Sequence, residues 1–269
     1  MSKIIDVFDQ VADDYDAPSN RFFPFAADYL TTKMQLHGRQ KILDVATGTG
    51  VIAVSAAQMV RTGRVIAIDL SSGMLAKAQA TADKMALENI DFFEMDGQQL
   101  TFKSAYFDHV LCGFGLFFFA DMPAGLKAWL RVLKPGGHVG FTSFATTSFH
   151  PMVTLFFNQL EAFGTQADQV TMQALDEPDK CEALLTQAGF TEVSIEPVSL
   201  GYHLSHADQW WDVIWGTALR GLLSTLTVDQ LVTFKAQHLA EVAALVTDKG
   251  LWMPVDVLFC VGCKAEKTC

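Results

Sequence analysis

The chain has 269 residues, half of them hydrophobic, and carries a formal net charge of −11. So much apolar material supports a sizeable buried core and excludes global disorder. A protein that grips a nucleic-acid duplex must neutralise phosphates with clustered Lys and Arg; here acids outnumber bases 30 to 19 and no basic run occurs, so no nucleic-acid partner is expected.

In chain order, the opening Met1-Ser2-Lys3-Ile4-Ile5-Asp6 is broken by acids before an apolar run can develop, unlike a signal peptide. The first forty residues have helical spacing. Short β-type runs then alternate with helical patterns, the signature of a mostly parallel sheet with crossover helices. Strands are predicted at 41–46, 64–69, 90–95, 107–112, 138–143, 192–197 and 255–261, and helices at 50–60, 73–85 and 123–133. Lys134-Pro135-Gly136-Gly137 is expected to stop the last of these helices and turn the chain into the fifth strand. The segments 148–177 and 207–248 are apolar and helix-like, too long for structureless loops. Trp210, Trp211 and Trp215 fall in the second of them, where they either line a ligand pocket or anchor the segment to the sheet. The most apolar stretch, from Val110 to Ala120, is too short to span a bilayer. Five cysteines show no disulfide framework, which suits a reducing cytoplasm. Cys260-Val261-Gly262-Cys263 lacks a second pair and lies in a strand-like run, so no metal is assigned to it.

The most informative segment is Ile42-Leu43-Asp44-Val45-Ala46-Thr47-Gly48-Thr49-Gly50, an apolar strand running into a turn of small residues with a helix directly after it. Small residues allow close backbone approach to a ligand, and the helix start offers unpaired N–H groups. Gly48-Thr49-Gly50-Val51-Ile52-Ala53 also satisfies the G-x-G-x-x-G/A dinucleotide pattern, with Asp69 following roughly 20 residues on. A carboxylate there accepts from ribose hydroxyls of either a nicotinamide cofactor or S-adenosylmethionine, so this motif alone leaves an NAD(P)-dependent oxidoreductase open. Tyr29 and Lys33 match the Tyr-xxx-Lys pair of short-chain dehydrogenases, but precede the glycine loop instead of following the fourth strand.

Three later features favour the sulfonium donor. Phe93-Glu94-Met95-Asp96-Gly97 ends the third strand in an acid suited to an adenine amine. Phe107 to Gly115 forms a fourth strand ending in small residues, and Val132-Leu133-Lys134-Pro135-Gly136-Gly137 follows. In order and spacing these resemble the class I S-adenosylmethionine-dependent methyltransferases from about residue 41 to 143. Within that class, Asp44 to Gly50, Gly113-Phe114-Gly115-Leu116 and Val132 to Gly137 resemble the ubiquinone/menaquinone-biosynthesis C-methyltransferase family and related small-molecule methyltransferases. An early Tyr15-Asp16 pair is similar to the segment that folds over the cofactor in that family.

The resemblance implies an α/β, Rossmann-like fold: a seven-stranded sheet with the last strand antiparallel, helices on both faces and a helical lid. The whole of 1–269 then forms one methyltransferase domain, its core about 36–147, 178–200 and 251–265, its lid about 1–35, 148–177 and 201–250. It also implies the cofactor S-adenosyl-L-methionine, with S-adenosyl-L-homocysteine as product. The residues implied at the cofactor are Tyr15, Ala46, Thr47, Gly48, Thr49, Gly50, Asp69, Leu70, Met74, Asp96, Gly97, Gly113 and Phe114. Thr49 and its glycine neighbours would hold the methionine moiety, Asp69 the ribose, and Asp96 with Gly97 the adenine.

Where that family carries Gly-Leu-Arg-Asn, this chain has Gly115-Leu116-Phe117-Phe118-Phe119, an apolar wall in place of a fixed cation and amide. The long segment before the final strand is closer to small-molecule methyltransferases with a helical cap. The expected function is C- or O-methylation of a small, largely apolar molecule in the cytoplasm, the oligomeric state left open with a homodimer included. A non-catalytic scaffold of the same fold is the remaining alternative. No catalytic residue is assigned; His150, His203 and His206, at strand ends that could face the acceptor, are the candidate bases, while His109 and His138 are expected to be structural.

Overall fold

In this computed structural model, residues 2–165 and 173–266 are described. Part of the expected lid segment 148–177 therefore lies outside the described residues. Helix α1 (Ser2–Val11) and α2 (Phe22–Lys33) precede β1 (Lys41–Val45). Then follow α3 (Val51–Met59), β2 (Arg64–Asp69), α4 (Ser72–Lys84), β3 (Ile90–Glu94) and β4 (Phe107–Gly113). Next come α5 (Met122–Val132), β5 (Leu133–Phe144), α6 (Met152–Ala162), α7 (Pro178–Ala188) and β6 (Thr191–Ser199). The chain ends through β7 (Tyr202–Leu204), α8 (Asp208–Trp215), α9 (Leu219–Leu222), α10 (Val228–Ala243), β8 (Leu251–Met253) and β9 (Asp256–Cys263).

The main sheet has seven strands in the order β3-β2-β1-β4-β5-β9-β6, and β9 runs antiparallel to both neighbours. Its centre is apolar on both faces because helices cover both: Ile42, Leu43, Val45, Val110, Leu111, Phe141 and Phe259 are all fully buried. The strand order reverses at β1, which pairs with β2 on one side and β4 on the other. A crevice opens at such a switch point, outside the carboxyl ends of the strands, and the chain's short loops cluster there.

Two local expectations are corrected. Lys134 to Gly137 is not a turn that precedes the strand, because β5 already begins at Leu133. Phe107 pairs with Leu133 but His109 with His138, so the extra residues form a bulge. Gly136, at φ +72°, supplies its left-handed backbone and donates to the Lys264 carbonyl at 2.8 Å. The stretch 207–248 is helical as expected, but the wider lid range 201–250 is not: it opens on β7, which pairs antiparallel with β8. Among the described residues, no helix is long and apolar enough to cross a membrane.

Candidate functional site

The crevice is built first from the loop after β1. Thr47 donates its hydroxyl to Asp44 Oδ2 at 2.6 Å, and its N–H reaches the Ile68 carbonyl at 3.0 Å. Gly48, at φ +55°, donates its N–H to Asp69 Oδ2 at 2.8 Å. A Cβ at Gly48 would meet only Tyr15, at 4.0 Å, so this glycine serves the backbone turn and leaves its outer face open to the crevice. Ala46 is likewise held at φ +53°, a costly conformation for a residue with a side chain.

Asp44 is fully buried, and burial pushes its carboxyl up to about 7 against the opposing hydrogen bond from Thr47. Its Oδ1 has no partner within the protein. An unpaired carboxylate oxygen beneath a glycine loop fits a cationic or N–H-bearing ligand group. Asp69, at the end of β2, accepts from Gly48 and, through Oδ1, from the Ser71 N–H at 2.9 Å. Burial raises its pKa, and those backbone N–H groups pull the other way. With the Leu70 N–H also reaching it, the carboxylate still keeps a lone pair for a ligand hydroxyl.

Asp96 follows β3 and is fixed by the Gln98 N–H at 2.8 Å. The adjacent Gly97 carbonyl accepts from the buried Trp129 Nε1 at 2.9 Å, so α5 clamps this loop. At the end of β4, Phe114 sits at φ +52° with its N–H donated to Thr142 Oγ1 at 3.1 Å. Helix α1 lies over these loops: Asp9 Oδ1 accepts from Ser71 Oγ at 2.5 Å and from the Gly73 N–H at 3.0 Å.

The resulting crevice holds about 780 Å³ of atom-free space, its mouth included. Tyr15, Ala46, Gly48, Asp69, Leu70, Met74, Asp96, Gly97, Gly113 and Phe114 all line it. Three residues expected there do not. Thr47 is engaged with Asp44, and Gly50 at φ +87° forms the start of α3. Thr49, expected at the methionine moiety, donates its hydroxyl to Asp16 at 2.7 Å and faces a separate hollow beside Asp16 and Arg21. Residues that the motifs did not single out are Ile4, Ile5 and Phe8 of α1, together with Ser71, Met95 and Gln98. The signal for the first three was the i, i+1, i+4 spacing of one apolar helix face.

A second chamber, with about 990 Å³ of atom-free space, adjoins the crevice and shares Ile4, Phe8, Tyr15, Phe114 and Phe118 with it. Its other walls are Phe22, Phe23, Phe117, Phe144, Phe149 and Phe157, closed by Val213, Thr217, Ala218, Leu219 and Leu222. Among the described residues that line this wall, Tyr15 is the only ionisable one, and it stacks on Phe23 at 4.6 Å. Burial and the nearby Asp69 and Asp16 push its phenol far above the usual range, so it donates hydrogen bonds and takes no proton.

None of the candidate bases lines either cavity. His150 is exposed with Nδ1 2.7 Å from Thr154 Oγ1, His203 packs edge-on to Trp252, and His206 is exposed beside Asp208. His109 stacks on His138, and burial depresses it to about 4. The tryptophans also stand outside: Trp210 donates to the buried His238 at 2.8 Å, and Trp211 stacks with Trp215. Tyr29 and Lys33 both bind Glu196 on β6, at 2.7 and 2.5 Å, and line neither cavity. Cys260 and Cys263 sit three apart on β9, hence on opposite faces, and Cys260 is buried next to Cys181.

Residues 1–209 match the ubiE/COQ5 methyltransferase family. A relative, the ubiquinone/menaquinone biosynthesis C-methyltransferase UbiE of Coxiella burnetii, is 30% identical over 224 residues, which cover 76% of this chain and 89% of that protein. The demethylmenaquinone methyltransferase of Bacteroides fragilis is 29% identical over 176 residues, covering 60% of this chain and 72% of its own length. Among solved structures, the YcgJ protein of Bacillus subtilis superposes with a TM-score of 0.63 at 17% identity, covering 90% of this chain and 99% of that one.

Proposed function

This chain belongs to the ubiE/COQ5 methyltransferase family, and on that footing we propose that its phenylalanine chamber seats an aromatic methyl acceptor against a donor held in the crevice. It is an S-adenosylmethionine-dependent methyltransferase that acts on a small, largely apolar molecule. When bound, S-adenosylmethionine supplies an electrophilic methyl group on a sulfonium and departs as S-adenosylhomocysteine. The residues present suit that group. Asp69 would accept the ribose hydroxyls and Asp96 the adenine amine, and Asp44, in the small hollow beneath the glycine loop, would offer its unpaired Oδ1 to the ammonium. Gly48, Gly97 and Gly113 give the nucleoside close approach to backbone, while Tyr15, Leu70 and Met74 pack about it.

The observation that supports the acceptor assignment is the shared wall: Tyr15 and Phe114 border both cavities, so the chamber adjoins the crevice at these two side chains. In-line methyl transfer needs alignment and exclusion of water more than it needs a base, with reacting atoms about 3–3.5 Å apart. The chamber suits both through its aromatic walls, and among the described residues none on them takes a proton. The acceptor therefore enters with its own nucleophile ready, an electron-rich ring carbon or an easily ionised ring hydroxyl. Relatives named for ubiquinone and menaquinone methylation support a ring of that kind. Phe117 and Phe118 stand where the family pattern has Arg-Asn, which favours a less polar head. The test is methyl transfer from labelled S-adenosylmethionine to a panel of naphthols and hydroquinones, with S-adenosylhomocysteine and NADH titrated in parallel. Labelled methylnaphthol or methylhydroquinone is the expected product; tight NADH binding with no label transferred overturns the reading.

A further inference from the structure

The phenylalanine chamber offers its occupant almost no hydrogen bonds. Among the described residues, and apart from Tyr15 at the end shared with the crevice, one hydroxyl-bearing residue lines it: Thr217, between α8 and α9. The Thr217 Oγ1 is shut off from solvent and has no hydrogen-bond partner in the protein. A buried hydroxyl is unfavourable unless something pairs with it, and a valine of the same shape would fill the position without that penalty.

The turn that carries Thr217 is held firmly. Thr217 accepts the Arg220 N–H at 3.1 Å through its carbonyl, and the Arg220 guanidinium lies 3.9 Å over the Trp215 ring. The preceding Gly216 is pressed against the backbone of Asp14, where an added Cβ would lie 2.9 Å from the Asn20 amide. The backbone that carries the hydroxyl is thus held in place.

We infer that Thr217 is the specificity determinant of the acceptor site: its hydroxyl pairs with a single oxygen, hydroxyl or carbonyl, on an otherwise apolar, uncharged aromatic acceptor. The inference rests on the chamber being the acceptor site. It defines a substrate class, since among the described residues no Lys, Arg or His lines the wall to receive a carboxylate or phosphate. It also sets an orientation, because an oxygen held at Thr217 leaves the remainder of the ring to the wall shared with the crevice.

The test uses the full chain saturated with S-adenosylhomocysteine and three probes, 1-naphthol, naphthalene and 1-naphthoate, with binding followed by fluorescence. In the wild type, naphthoate binds much more weakly than naphthol. The ratio of naphthol to naphthalene affinity falls about three- to tenfold in Thr217→Val, the worth of one neutral hydrogen bond. Thr217→Ser restores it, and S-adenosylhomocysteine affinity is the same in all three proteins. A naphthol preference that survives Thr217→Val, or naphthoate binding as tight as naphthol, overturns the role of the hydroxyl alone. A wild type that binds neither naphthol nor naphthalene overturns the acceptor site itself.

Discussion

Gly48 and Asp69 are joined across two strand ends, the Gly48 N–H donating to Asp69 Oδ2 at 2.8 Å. That bond fixes the glycine loop against the carboxylate before any cofactor arrives, and the Ser71 N–H holds the other oxygen at 2.9 Å. Asp69→Asn replaces one of these oxygens with an N–H₂ that must face an N–H. Hydrogen bonds to a charged group are worth about 1.5–3 kcal/mol, so S-adenosylhomocysteine affinity should fall by at least about tenfold. Calorimetric titration checks this, and an unchanged dissociation constant would show that the ribose lies elsewhere.

Stability should also depend on pH in an unusual direction. Burial raises the Asp44 carboxyl from 3.8 to about 7, and it pushes Asp16 and Asp69 up as well. Below 3.8 Asp44 is protonated folded and unfolded, so it contributes no slope. Between 3.8 and about 7 the unfolded chain releases its proton while the folded one keeps it, so stability falls as pH rises; above that range the penalty is constant. One unit corresponds to about 1.4 kcal/mol, which makes the whole effect on the order of a few kcal/mol. The Tm of the cofactor-free protein should therefore drop between pH 5 and pH 8, and Asp44→Asn should flatten that slope. Binding of the ammonium-bearing cofactor should be tighter at pH 8 than at pH 5.5. Identical slopes in wild type and variant would remove Asp44 as the cause.

The strands and the glycine loop were legible because their signals are local. An apolar run such as Ile42-Leu43-Asp44-Val45 and the left-handed turn at Gly48 are written in adjacent residues. Asp69 and Asp96 followed from the spacing of strand ends. Contacts made across long stretches of chain were not legible. Thr49 pairs with Asp16, 33 residues away, and nothing near Thr49 distinguishes a hydroxyl that binds a ligand from one that ties down an N-terminal segment. Spacing likewise put Trp210 and Trp211 on a buried face of α8 without saying what that face meets; in the structure Val213 of the same helix lines the chamber and the indoles do not. The bulge at Lys134 to Gly137 looks like a turn in sequence because Pro and Gly serve both, and only pairing with β4 separates them.

The apolar wall can be challenged at the family's Arg position. Phe117 is 5% exposed and packs 4.7 Å from Phe118, ring centre to ring centre. Phe117→Arg would bury a cation with no carboxylate, among the described residues along the chamber, to meet it. An uncompensated buried charge costs about 3–5 kcal/mol, so Tm should fall by several degrees, while Phe117→Leu should cost far less. Equal thermal stability of the two variants would mean that this wall is wet and open to charge.

The tryptophans anchor the helices between β7 and β8, and Trp210 is where this can be tested. Its Nε1–H donates to His238 Nε2 at 2.8 Å, both residues being fully buried. Burial depresses His238 to about 4, so the ring is neutral and accepts through Nε2 at any ordinary pH. Trp210→Phe leaves that nitrogen buried and unpaired, a loss of about 1–3 kcal/mol before any cavity is counted. His238→Leu in the same background removes the orphan, and replacing both partners with apolar groups should recover part of the stability. S-adenosylhomocysteine affinity should not change in either protein, because neither side chain reaches the crevice. A Trp210→Phe variant that keeps its Tm but loses cofactor or naphthol binding would place the indole against a ligand instead.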